Sequence, residues 1–208
     1  MTAHRLSRAT GGLVAVVTLL GAGCSGDDTP VAETTPTVPG LPELPSGAAT
    51  PGSEFDQHQG ANVVFVPPGQ AKRHSTAKTS GYLRIRIDRV RTGSISDLKS
   101  FDLNARTRRS TPYYVNVTLT GLDNGRIGGA DVPLLGVNAH DFLLQATDVI
   151  GTFARCQTEP IPDRFGKGTR FDTCLMFLSP KHGKLTGVEF QYSPRAAPVL
   201  WKVKPRPR

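Results

Sequence analysis

Histidine, cysteine, acidic and arginine side chains are the groups through which this chain of 208 residues could do chemistry, and their spacing restricts what that chemistry is. The histidines are His4, His58, His74, His140 and His182, and no two are spaced as a metal pair on one strand or one helical face. No serine sits in a nucleophile-elbow sequence. His140, followed by Asp141 at the start of an expected strand, reads as a turn residue bonded to backbone rather than a general acid or base. Asp123, Asn124, Gly125 and Asp131 offer oxygen ligands that would suit calcium, but Arg126 intrudes and no acidic residues continue at alternate positions. A hairpin turn with Asn124 and Gly125 at positive φ is expected there instead. No catalytic residue, metal or cofactor is therefore expected, and a secreted hydrolase is the less favoured alternative.

Three cysteines are an odd number for an exported chain unless one is consumed. Arg5 and Arg8 precede an apolar segment of about ten residues, Gly11 to Leu20, which is too short to span a bilayer at roughly 20 residues. It closes on Leu20, Gly21, Ala22, Gly23 and Cys24. Over residues 1–24 this resembles the signal peptides of bacterial lipoproteins, with Gly21 where those favour leucine. The resemblance implies cleavage before Cys24, a diacylglyceryl group of the palmitate type on its sulfur, and residence at the extracytoplasmic face of the cell membrane. Without the lipid the chain would be freely secreted. With Cys24 acylated, Cys156 and Cys174 remain as a pair. A bridge between them would close a loop of about 17 residues and add about 3 kcal/mol on the chain-entropy model. Their separation is not the Cys-x-x-Cys arrangement of redox pairs.

Charge divides the mature chain. Residues 25–60 contain Asp27, Asp28, Glu33, Glu43, Glu54 and Asp56 and no lysine or arginine, whereas residues 61–208 hold 23 basic and 11 acidic side chains, a net of +12. Thr, Pro, Gly, Ser and Ala dominate the acidic stretch, so residues 24–60 are expected to be a disordered tether that cannot bury enough apolar surface to order itself. Residues 61–208 form the expected basic domain. There Leu83, Ile85 and Ile87 alternate with Arg84, Arg86 and Asp88, and Tyr113, Val115, Val117 and Leu119 alternate with Tyr114, Asn116, Thr118 and Thr120. Period-two alternation of this kind marks strands with one buried face. Phe142 to Ala146 and Cys174 to Leu178 read as more fully buried strands, and alternation returns at Val188, Phe190 and Tyr192 and at Val199, Trp201 and Val203. Turn residues separate these runs, among them Pro160, Pro162 and the Ser179 to Gly183 stretch, and no segment of ten residues carries a helical stripe. An all-β antiparallel β-sandwich is expected.

The run Tyr113 to Thr120, then Phe142 to Leu144, the Cys156 loop leading to Cys174 through Pro180, then Leu185, Val188, Phe190, Tyr192 and Pro198 to Trp201, resembles the β-sandwich domain of actinobacterial lipoproteins. It is similar, more distantly, to the immunoprotective extracellular antigens of mycobacteria and their telokin-like relatives. The resemblance covers about residues 80 to 203 and implies an immunoglobulin-like sandwich at the cell surface without catalytic residues to carry over.

A surplus of +12 makes the domain attractive to polyanions. Arg84, Arg86, Arg89 and Arg91 lie on or just after one expected strand, Arg106, Arg108 and Arg109 precede the next, and Lys202, Lys204, Arg206 and Arg208 form a basic tail. Outside the cell the available polyanions are lipid head groups and phosphate-bearing or uronic wall polymers. No nucleic acid is expected, although Tyr82 and Tyr114 on a basic sheet would suit one. The expectation is a lipid-anchored, non-catalytic binding or adaptor module for an anionic envelope polymer, a head group or a surface protein. The alternative is a structural envelope accessory with no discrete ligand.

Overall fold

The computed structural model describes residues 43–68, 80–149 and 151–207. The expected signal peptide, Cys24, the first part of the expected tether and His74 lie outside these residues. The described residues are all-β and sandwich-like, with two mostly antiparallel sheets and no α-helix, only the single-turn 3-10 segments Ile95–Leu98 and Thr107–Arg109. Among them no helix is long and apolar enough to cross a membrane.

One sheet orders β2 (Gly60–Phe65), β3 (Gly81–Thr92), β4 (Ser110–Gly121) and β7 (Arg170–Pro180). The other orders β1 (Glu54–Asp56), β9 (Val199–Lys202), β8 (Leu185–Phe190), β5 (Leu135–Asn138) and β6 (Leu143–Gln145). The first sheet turns Leu83, Ile85, Ile87, Val115, Val117 and Leu119 inward, and the second meets them with Leu185, Val188, Phe190, Val199 and Trp201 in one apolar cluster. Trp201 is fully buried, and its indole N–H donates to the Gln59 carbonyl at 3.0 Å, so the largest core side chain leaves no polar atom unsatisfied.

Simple alternation fails within β3. The register shifts between Ile87 and Arg89, so that Asp88 bulges out of the pairing with β4 and Val90 stays in the core beside Ile87. Arg84, Arg86, Arg89 and Arg91, opposite Thr120, Thr118, Asn116 and Tyr114, therefore share the outer face.

That outer face is itself half covered. Tyr114, Cys174 and Met176 pack under Leu98 and Phe153 in a second apolar cluster, which explains why Cys174 to Leu178 reads as apolar on both faces. Two loops supply the cover. One is fixed by Asp97, which accepts from the Ser94 N–H and from the Tyr114 hydroxyl, and the other is joined to it by an Arg155–Asp97 contact of 3.5 Å. The Cys156–Cys174 disulfide, with Cα atoms 5.1 Å apart, fastens this second loop to β7.

The described residues correct several expectations. Residues 43–60 are built into the fold, not left in a tether: Phe55 of β1 stacks on Trp201 at 5.9 Å, β1 pairs parallel with β9, and the Ala49 N–H bonds the Asn62 carbonyl. A three-residue strand inside a Pro-rich and Gly-rich stretch gives no periodic signal. Within the basic C-terminal segment, Lys202 lies in β9 and pairs with Glu54, and the Arg206 N–H bonds the Val90 carbonyl. Neither Asn124 nor Gly125 has positive φ, since β4 ends in a loop that crosses to the other sheet rather than in a hairpin; Asp123 Oδ1 accepts from the Tyr82 and Gly125 N–H groups.

Candidate functional site

The arginines expected to form one basic surface divide between separate places, because β4 runs about 36 Å between them at roughly 3.3 Å per residue. Toward its Gly121 end, Arg84 and Arg86 meet His58 and Arg170 around a shallow recess of about 400 Å³. Carboxylates offset much of this charge. Arg86 pairs with Asp88 at 2.6 Å and Arg170 with Asp172 at 3.0 Å, and the Thr118 hydroxyl lies between the two acids, 2.6 Å from Asp88 and 2.5 Å from Asp172. The Arg170 guanidinium and then Thr118 hold the Asp172 carboxyl below its ordinary range. Arg89 is exposed further along the outer face. Arg91 is half-buried on that face, its Nε finding no hydrogen-bond partner among the described residues. Tyr114, expected to be exposed for stacking, is buried; burial raises its phenol pKa and its hydroxyl donates to Asp97 at 3.0 Å.

At the other end of β4, Arg106 and Arg109 line a groove of about 900 Å³, with Arg108 exposed on the same 3-10 turn. The β4–β7 register places Ser110 opposite Pro180, so that Lys181 and His182 stand beside Arg109. The His182 N–H bonds the Arg109 carbonyl at 3.1 Å. His140, with Phe142, Leu143 and Leu144, forms the third side. Sequence reasoning took Phe142 to Ala146 for a buried strand. In the fold β6 is a three-residue edge strand, with only Leu144 turned in, and Phe142 and Leu143 are 62% and 49% exposed. Apolar edge residues in that state are unusual enough to need an explanation.

Local structure holds these groups stiffly. Buried Asn138 uses its side-chain oxygen to accept from the His140 and Phe142 N–H groups at 2.9 and 3.0 Å, which shapes the tip between β5 and β6. Pro180 to Gly183 forms a tight turn closed by the Gly183 N–H on the Pro180 carbonyl at 3.0 Å, with Lys181 and His182 at φ of 53° and 55°. Such a turn favours Asn and Gly at both central positions. Of the four non-glycine residues with positive φ among the described residues, Lys181 and His182 line this groove and Asp141 lies in the chain between His140 and Phe142, which also line it. Strain of this kind persists where the surrounding structure over-determines it and clusters at binding sites.

Charge in the groove is of one sign. Among the described residues no carboxylate pairs with Arg106, Arg109 or Lys181, and none lines the groove, although Asp141 adjoins it in the chain. No hydroxyl or thiol lines it either, so its two imidazoles face cations, an amide and apolar carbon. Also among the described residues, no group of three or more His, Cys, Asp or Glu could hold a metal ion. The arrangement can receive an anion through guanidinium and ammonium donors and can shelter apolar surface beside it. Of its residues, sequence reasoning singled out Arg106, Arg109, His140 and His182 but did not bring them together. Comparison with models of protein families, with curated proteins and with solved structures finds no match.

Proposed function

We propose that this chain is an exported, non-catalytic binding module with an immunoglobulin-like sandwich, anchored to the membrane by lipid on Cys24, and that it holds an anionic ligand in the groove between Arg106, Arg109 and Lys181. One observation carries this reading: these cations have no carboxylate partner among the described residues and stand over exposed Phe142 and Leu143. The Arg84 and Arg86 face, the other expected polyanion contact, is weaker because Asp88 and Asp172 already occupy Arg86 and Arg170.

The described chain joins the sandwich beside Tyr82, whose hydroxyl donates to the Ser46 carbonyl, and Tyr82 lies at the Gly121 end of β4. The groove lies at the opposite end of β4. An exported chain meets its ligand in the envelope, as a polymer, an amphiphile or an acidic partner protein. A structural accessory would have no use for unpaired cations at that end.

Retention of the full chain on isolated envelope fractions tests this. On the proposal, rising ionic strength releases the protein, and Arg106→Glu with Arg109→Glu weakens retention about tenfold, while Arg84→Glu with Arg86→Glu changes it less. Both groove arginines are exposed, so their loss leaves the core intact. Retention indifferent to salt and to the groove pair would refute the reading.

A further inference from the structure

The groove's chemistry is of two kinds, and only one class of ligand uses both. Among the described residues only three large apolar side chains are exposed, Val66, Phe142 and Leu143, and two of the three lie here. Leu144 and Pro180 extend the apolar wall. Arg106, Arg109, Lys181 and His182 stand along the same groove. A wholly hydrophilic anion, such as a uronic polymer, would satisfy the cations and leave the apolar wall wet. A neutral apolar ligand would cover the wall and leave the cations unanswered. An anion with an apolar tail answers both, and about 900 Å³ lies within the range of cavities that enclose ligands of a few tens of atoms.

Resting on the reading above, we infer that the ligand is a free single-chain amphiphile, a long-chain carboxylate or phosphate monoester, with its head group among Arg106, Arg109 and Lys181 and its tail against Phe142, Leu143 and Leu144. Arginine forks match either head group, by paired N–H donation to two oxygens. The stiff turns at Asn138 and Pro180 hold the apolar and cationic sides in place before the ligand arrives, which lowers the ordering cost of binding. The bilayer itself is the poorer occupant, because the apolar and cationic groups line a groove, which takes a single chain, rather than a flat face.

The test uses the full chain carrying Cys24→Ser, so that no acyl group of its own is present, with cis-parinarate as a fluorescent long-chain carboxylate. The expected result is saturable fluorescence, displaced by palmitate and by lysophosphatidate and unaffected by acetate, inorganic phosphate or polygalacturonate. Whichever displacer acts at the lower concentration identifies the head group as carboxylate or phosphate. Phe142→Asn with Leu143→Asn, both at exposed positions, should weaken the probe about tenfold, as should Arg106→Glu with Arg109→Glu. Arg84→Glu with Arg86→Glu should leave it unchanged. If polygalacturonate binds and is lost only in the arginine pair, while the Phe142 and Leu143 pair is neutral, the amphiphile inference is overturned and the anion reading stands. Tight binding to anionic vesicles without displacement by free palmitate overturns it in favour of a membrane contact. If no anion of any kind depends on the groove, both readings fall.

Discussion

Tyr192 shows how a single side chain ties the segment first taken for a tether to the core. Its ring meets Phe190 edge-on at 4.9 Å, and its hydroxyl donates to the Ala49 carbonyl at 2.6 Å. Burial pushes its pKa up to about 12, against an ordinary value of 10. The neutral phenol is the form the fold prefers, so its contribution to stability is whole below the ordinary value and is lost as pH rises toward and through about 12. Urea unfolding of the parent should therefore weaken over that alkaline window, by about 1 kcal/mol from this residue, well below the full linkage value because Tyr192 is only partly buried. Tyr192→Phe should flatten that part of the loss, leaving the part due to Tyr114, whose pKa is also raised. An identical pH dependence in parent and variant would contradict the assignment. The hydrogen bond to Ala49 could not be read from sequence, because its partners stand 143 positions apart. By contrast, Cys156 and Cys174 were legible as a pair, since counting cysteines requires no knowledge of the path between them.

Strand patterns were legible where strands are long. The alternation in β4 and in the first half of β3 follows from period-two placement of side chains in a sheet, and the apolar run of β7 from cover on both its faces. Alternation misleads after Ile87, where it would turn Arg89 and Arg91 inward and Val90 outward. The bulge at Asp88 reverses this, keeping Val90 buried and Arg89 exposed. Val90→Asn should then cost about 3 kcal/mol, from lost apolar burial and a poorly satisfied amide, while Arg89→Asn should stay within about 0.5 kcal/mol. Denaturant midpoints of the two variants decide it, and the opposite ranking would place the bulge elsewhere. β1 and β6, three residues each, were lost or mistaken because three residues carry too little pattern. The groove was illegible for a related reason: its sides come from 106–109, 138–144 and 180–182, and only the β4–β7 register and the β5–β6 pairing bring them to one end.

For the molecule as a whole, the excess positive charge is less informative than its distribution. Carboxylates quiet the recess at the Gly121 end, whereas the far end keeps Arg106, Arg109 and Lys181 unpaired among the described residues beside exposed apolar carbon. The most direct measurement is a titration of the isotope-labelled full chain carrying Cys24→Ser with palmitate, followed through its backbone amide resonances. Saturable shifts confined to residues 106–110, 138–144 and 181–183, with residues 121–127 silent, are the predicted result. Shifts concentrated around Arg84, Arg86 and Arg170, or none at all, would contradict the placement of the site.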